Sequence, residues 1–342
     1  MDGSSALSRV VELDALRGLA ALAVVAYHYT THYGNLVGHV QPLPFGFAAG
    51  NYGVHLFFLI SGFVIFMSLE RTRTAMDFVV SRVSRLYPAY WAALMVSAAV
   101  IYTIGLPEQR LPLGDLLLDV TMVQQILGGE HLDGSYWTLQ VELFFYAQML
   151  FWFAVGQLKR VHWIIGAWLV LAVIYGQTAG HGVLFSDSTR ELLILRHFPF
   201  FALGILFYRL RSKPGEHPLN ITLIALTLVA IGLAGPPVLV LVAMVCCGIF
   251  ALFVGGHLKW LCWAPFAFLG AISYSLYLLH QAIGFALIHL LEQSGVSTGV
   301  AMVLALGAAL ALASAITFLV ERPAMNWIRA AWRQHRPPLA RT

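Results

Sequence analysis

The chain has 342 residues, of which 59% are hydrophobic and only 11% charged, with a formal net charge of +4 and a mean hydropathy of +0.78. A soluble globular domain averages roughly half apolar and a quarter charged residues, so the charges here cannot cover a water-facing surface and the excess apolar area must face lipid. Nucleic-acid binding is excluded as the meaning of the positive balance, because the basic residues fall in short connections between apolar runs, the pattern that orients a membrane protein.

In chain order, runs long enough for a helix to cross ~30 Å of hydrocarbon fall near 12–31, 52–69, 86–105, 136–156, 161–178, 192–209, 219–235, 237–255, 265–290 and 298–320. They predict an all-α, polytopic transmembrane helical bundle of about ten spans. It forms one domain over residues 1–342, with a core at 11–327 and a basic cytoplasmic tail at 328–342. The first run carries Asp14 and Arg17 and continues to His28, so it reads as a retained span rather than a cleaved signal. Residues 111–127 read as a short interfacial helix in the longest outer loop. The seventh and eighth runs are parted only by the Gly235-Pro236-Pro237 turn. The tail, with Trp327 and Trp332, reads as an amphipathic helix on the inner leaflet. Cys246, Cys247 and Cys262 show neither ligand spacing nor a disulfide framework and read as small core residues.

Charge fixes an orientation. With the N-terminus in the cytoplasm, the inner connections collect Arg9, Arg71, Arg73, Arg82, Arg85, Lys159, Arg160, Arg209, Arg211, Lys213 and Lys259, and the tail adds Arg322, Arg329, Arg333, Arg336 and Arg341. The outer side keeps Arg110, Arg190 and Arg196, and its longest loop is acidic, with Glu108, Asp115, Asp119, Glu130 and Asp133. This alternation places both termini in the cytoplasm.

Ionisable groups inside spans are costly, so each is a candidate functional residue. Arg17 and His28 are eleven residues apart, which returns to within ~20° of one helical face about three turns on. Arg17 can serve a site or snorkel to the inner headgroups; His28 can be a base or a packing histidine. His28 and His32 are four apart, as in metal sites, but no Asp, Glu or Cys partner follows at comparable spacing, so no metal is expected. Glu142, in SYWTLQVELFFY, is either half of a structural ion pair or an orienter of a histidine or an acid/base group itself. Ser273 and His280 are seven apart on one face, with interhelical hydrogen bonding as the plainer role. Ser61-Gly62 sits near mid-span, where small residues allow close helix approach. Arg82 and Arg85 are either anchors at the membrane surface or a site for phosphate groups, which arginine binds bidentately.

At these residues the chain resembles the acyltransferase-3 family of bacterial integral-membrane acyltransferases. LDALRGLAALAVVAYHY resembles its opening Arg-to-His motif, GVHLFFLISGFVIF its second-span signature, and the Arg82/Arg85 pair its R-x-x-R motif. SYWTLQVELFFY resembles its Trp-to-Glu span, which begins at Trp137, and SYSLYLLH its late Ser-to-His span. RHFPFFALGILFY and VERP fit as well, so the similarity runs from about 11 to 327. The resemblance implies a cell inner-membrane enzyme that moves an acyl group, usually acetyl, from acyl-CoA to a hydroxyl of a glycan, a lipid-linked saccharide or a glycosylated small molecule. It implies functional roles for Arg17, His28, Arg82, Arg85 and Glu142: His28 and Glu142 catalytic, the three arginines at the donor, with Ser61, Trp137, Ser273 and His280 as candidate lining. His55 stands where many members carry an acidic residue and receives no role. Polar residues in a bundle core would also serve a transporter or flippase, which is the alternative reading.

Overall fold

Helix follows helix through the computed structural model, which describes residues 10–178 and 187–335, and no strand forms among them. Arg9, Arg336 and Arg341, counted above as cytoplasmic charges, lie outside the described residues. The α-helices are α1 (Val11–Tyr27), α2 (Tyr33–Leu36), α3 (Gly53–Glu70), α4 (Ala75–Ile104), α5 (Leu113–Asp119), α6 (Trp137–Ala154), α7 (Val161–Thr178), α8 (Asp187–Leu192), α9 (Phe198–Ser212), α10 (His217–Ala234), α11 (Val238–Val254), α12 (Ala264–Gln293), α13 (Thr298–Ile316) and α14 (Arg322–His335).

Among the described residues six segments are long and apolar enough to cross a membrane: Ala48–Glu70, Ala75–Ile104, Leu158–Thr178, Pro214–Ala234, Ala264–Gln293 and Thr298–His335. Together with the composition they make the chain a multi-pass membrane protein. The other expected spans are shorter or more polar. α1 and α11 have 17 residues and α9 has 15, while α6 carries Gln140, Glu142 and Gln148. Two helices pass into π-helical turns, at His28–His32 and Thr317–Glu321. Such turns interrupt the i→i−4 ladder and are frequent at functional positions.

The chain divides into two compact, interleaved units. The first comprises Met1–Tyr27, Phe47–Phe66 and Arg160–Ser273, and the second His28–Gly46, Met67–Lys159 and Tyr274–Thr342. In the first unit small residues bring backbones together. A Cβ on Gly62 would lie 2.1 Å from the Phe201 carbonyl oxygen, and one on Gly204 would lie 2.0 Å from that of Leu59. Gly62 therefore allows the close approach expected of the Ser61-Gly62 pair.

In the second unit α4 begins at a Thr74 cap, whose side chain accepts the Asp77 amide. Its aromatic donors gather the chain between α4 and α6. Tyr102 Oη donates to the Leu111 carbonyl. Further back, Tyr90 Oη donates to the Asp119 carbonyl at 2.6 Å, Trp91 Nε1 to that of Val120 at 3.0 Å, and Tyr87 Oη to that of Thr121 at 3.1 Å. Tyr102 and Tyr87 are ~22 Å apart along a helix rising 1.5 Å per residue, so this connection turns back along α4. The expected interfacial helix at 111–127 is instead α5 followed by a 3₁₀ turn at Gln124–Leu127. Left-handed backbone at Met122 (φ 66°) and Gly128 (φ 85°) stops each piece. The tail helix also differs from expectation. It begins at Arg322, ahead of residue 328, and packs along α4: Trp332 Nε1 donates to Asp77 Oδ1 at 2.9 Å and Arg329 Nε to Ser84 Oγ at 3.1 Å.

Candidate active site

His28 opens the first π-helical turn and is half-buried. Its Nδ1 stands 3.1 Å from Nε2 of His280, and the two rings meet edge to face with centroids 4.8 Å apart. His280 is fully buried in α12, and its Nδ1 lies 2.8 Å from the Tyr277 carbonyl oxygen. These partners assign the hydrogens. A carbonyl only accepts, so Nδ1 of His280 carries the hydrogen and, in the neutral ring, its Nε2 is the acceptor. Nδ1 of His28 must then donate, and the lone pair of a neutral His28 sits on Nε2. The Tyr277 carbonyl thus sets the tautomer of His28 through an intervening imidazole, the device by which a base is oriented in catalytic triads.

The backbone around this pair is held by side chains. Tyr29 Oη donates to the His280 carbonyl at 2.9 Å. Gly284 lies under that ring: a Cβ there would fall 2.3 Å from Tyr29 Oη. Phe285 packs against His28, His32 and Tyr33. His39 bonds the Tyr29 carbonyl through Nε2 at 2.9 Å and Glu292 Oε1 through Nδ1 at 3.0 Å, which ties the turn to the far part of α12.

Asp133, read from the sequence only as a loop acid, accepts three hydrogen bonds here. It is 1% exposed. Oδ1 accepts the Ser135 amide at 2.8 Å and the Ser135 hydroxyl at 2.6 Å, and Oδ2 accepts the Ala282 amide at 2.8 Å. Tyr136 Oη donates to the Leu278 carbonyl at 3.3 Å, and Thr138 Oγ1 to Tyr277 Oη at 2.9 Å. The start of α6 is thereby pinned to the stretch of α12 that carries His280. The legible signal was the Asp-Gly-Ser cap ahead of α6.

The remaining candidates fall in two groups. Glu142, on α6, accepts from Tyr146 Oη one turn on at 2.5 Å. Arg82 lies with its guanidinium carbon 5.9 Å from the Tyr146 ring centroid and 5.6 Å from that of Phe78, and its Nη2 donates to Ser81 Oγ at 3.0 Å. Arg85 Nη1 lies 3.6 Å from Glu321 Oε1. Glu321, at the end of the second π-helical turn, is 2% exposed; its Oε2 accepts from Ser275 Oγ at 3.2 Å and Thr317 Oγ1 at 3.5 Å. The VERP and SYSLYLLH segments thus meet at Arg85. Trp137 heads α6 and is half-buried. Arg17, Ser61 and Ser273 belong to the first unit. There Arg17 is half-buried, Ser61 is buried, and Ser273 Oγ donates back to the Gly270 carbonyl of its own helix at 2.9 Å. Among the described residues no group of three or more His, Cys, Asp and Glu side chains is arranged to hold a metal.

In the returning connection, burial pushes the Asp119 carboxyl up to about 7, against the Leu132 amide that Oδ2 accepts at 2.9 Å and with the help of Asp133 and Asp115. Burial also pulls the His131 imidazole down to about 4, which keeps it neutral between Gln124 Nε2 at 2.5 Å and Gln125 Oε1 at 3.1 Å.

Known proteins resemble the chain. The acyltransferase domain matches residues 10–320. Acyltransferase MdmB of Streptomyces mycarofaciens is 28% identical over 187 residues, 48% of this chain and 46% of the relative. Exopolysaccharide production protein ExoZ of Rhizobium meliloti (strain 1021) is 31% identical over 149 residues, 42% of this chain and 45% of the relative. An O-acetyl transferase of Shigella phage Sf6 is 40% identical over 77 residues, 22% of each chain. The chain spans about half the length of the first two relatives and less of the third. No solved structure is significantly similar to it. With the domain match covering the Arg17-to-His28 opening, the Arg82/Arg85 pair, Glu142 and His280, the chain belongs to the acyltransferase-3 family.

Proposed function

We propose that the protein is a membrane-embedded acyltransferase that moves an acyl group, acetyl in the simplest case, from cytoplasmic acyl-CoA to a hydroxyl of a glycan, lipid-linked saccharide or glycosylated small molecule. The observation that carries this reading is the His28–His280–Tyr277 relay, which poises Nε2 of His28 as a general base. The names of the relatives, an acyltransferase, an exopolysaccharide production protein and an O-acetyl transferase, support the same class.

In this mechanism Nε2 of His28 takes the proton of the acceptor hydroxyl as its oxygen attacks the thioester carbonyl. The tetrahedral intermediate collapses with loss of the CoA thiolate, and the His28 imidazolium returns the proton to the sulfur. An ester and CoA result, and no further reactant is consumed. Glu142 favours the imidazolium by its charge while His280 holds the ring, a division of labour that replaces the single orienting carboxylate expected from the sequence. Arg82 and Arg85 bind the donor phosphates, and Arg17 lines the donor's path. The protein lies in the cell inner membrane with about ten spans and both termini cytoplasmic, as the charge alternation favours.

The test is single-turnover transfer from radiolabelled acetyl-CoA in nanodiscs, with acceptor drawn from the envelope of the producing cell. His28→Ala should lower the rate by ~10²–10⁴-fold, the usual cost of a lost general base, and leave CoA binding intact. Near-wild-type turnover in His28→Ala removes the proposed base. Label trapped on the wild-type enzyme but not on His28→Ala would convert the direct step into transfer through an acyl-His28 intermediate.

A further inference from the structure

Ser81, Arg82, Ser84 and Arg85 fall within five successive residues of α4, and the tail helix brings another guanidinium to them. Arg329 donates from Nε to the Ser84 hydroxyl at 3.1 Å and from Nη2 to the Ser81 carbonyl at 3.1 Å. Ser84 is fully buried, and its own hydroxyl donates to the Ser81 carbonyl at 3.2 Å. Arg329 therefore docks on the turn of α4 that carries Arg82 and Arg85, and the charges of Arg82, Arg85 and Arg333 all bear on it.

Clamping a helix to this turn needs only two neutral donors. An amide side chain would supply them without setting like charges together, which opposes the packing. Glu321 pairs with Arg85, and Asp77, along the same contact, receives the Trp332 indole. Planar guanidinium forks gathered on one turn suit phosphate oxygens. Among the described residues Nη1 of Arg329 has no hydrogen-bond acceptor, while Nε and Nη2 hold it in place.

We propose that Arg329, on the C-terminal helix, is a third phosphate-binding residue of the donor site and completes with Arg82 and Arg85 a three-arginine cradle for the phosphate groups of acyl-CoA. This rests on the donor reading given above. The tail helix then does more than lie on the membrane: it carries one of the groups that hold the donor. Anionic lipid headgroups share the same phosphate chemistry and are the competing source. The donor is favoured because Arg329 is anchored inward on the buried Ser84, whereas Trp327 on the same helix is 73% exposed.

The experiment is equilibrium binding of CoA to the full chain in nanodiscs of purely zwitterionic lipid and, in parallel, of partly anionic lipid, for wild type, Arg329→Gln, Arg329→Lys and Trp332→Phe, with thermal unfolding recorded for each. Loss of one charge-assisted phosphate contact should raise the Kd for CoA about tenfold or more in Arg329→Gln. Arg329→Lys keeps the charge without the fork and should lose less. Trp332→Phe removes a separate bond of the tail, to Asp77, leaves both anchors of Arg329 and every charge in place, and should bind CoA as wild type does. If wild type binds CoA and Arg329→Gln binds it equally well, the inference fails while the donor reading stands. An equal loss in Trp332→Phe makes Arg329 a tail clamp only, and an effect of Arg329→Gln confined to anionic nanodiscs assigns it to headgroups; either result overturns the proposal. Absence of CoA binding by wild type would overturn the donor reading itself.

Discussion

Nε2 of His280 accepts a hydrogen bond from Nδ1 of His28 across 3.1 Å, and the Tyr277 carbonyl fixes the direction of that bond from the far side of the His280 ring. His280 is in this account a positioning residue. His280→Ala should leave the KM for acyl-CoA near wild type and lower kcat, by ~10-fold or more but less than the ~10²–10⁴-fold of a lost base. His280→Gln offers one acceptor and one donor at a similar reach and should restore part of the rate. Measuring kcat and both KM values separates this from simple misfolding, which would lower active-site concentration without the rescue.

Arg85 is held by a carboxylate with two hydroxyl partners of its own. Glu321→Gln should release Arg85 and raise the KM for acyl-CoA more than that for the acceptor. The opposite split, with only the acceptor affected, would argue against a donor role for the arginine.

Tyr29 and Gly284 are packed without slack. Gly284→Ala should destabilise the protein by ~1–3 kcal/mol, the usual cost of overpacking, and should impair turnover because the ring it displaces holds the His280 carbonyl. Tyr29→Phe removes only the hydrogen bond and should cost about 1 kcal/mol. Denaturation in mild detergent compares the two; a neutral Gly284→Ala would mean that the turn yields easily.

Asp119 gives a pH dependence of definite sign. Its carboxyl is raised from the ordinary 3.8 to about 7 by burial. Between those values the folded chain holds a proton that the unfolded chain has lost, so stability falls as pH rises through that window. Wild type should unfold at a lower temperature at pH 8 than at pH 5, and Asp119→Asn should flatten the difference. An unchanged slope in Asp119→Asn would assign the dependence to other groups.

Topology is checked by reporters. Fusions after residue 130 should report the outer side, even though the connection folds back along α4, and fusions after residue 213 the cytoplasm. A C-terminal reporter facing outward would break the proposed arrangement.

The sequence by itself determined the class of fold and singled out most of the candidate residues. Composition forces the chain into lipid, helical runs follow from the need to satisfy backbone groups there, and Arg82, Arg85, His28, Glu142 and His280 stood out because ionisable groups in apolar runs are costly. Local periodicity could not reveal what those groups face. The partner at Nδ1 of His28 lies 252 residues away in the chain, and Glu321, which holds Arg85, comes from a π-helical turn that a 3.6-residue period does not anticipate. Residues 111–127 looked interfacial because amphipathicity records only that one face is apolar; the tyrosines and tryptophan of α4 decided that the segment turns back. Asp133 and Arg329 read as loop and tail charges for the same reason. A charge's role is set by which acceptors and donors surround it, and only the tertiary structure brought Ala282 to one and Ser84 to the other.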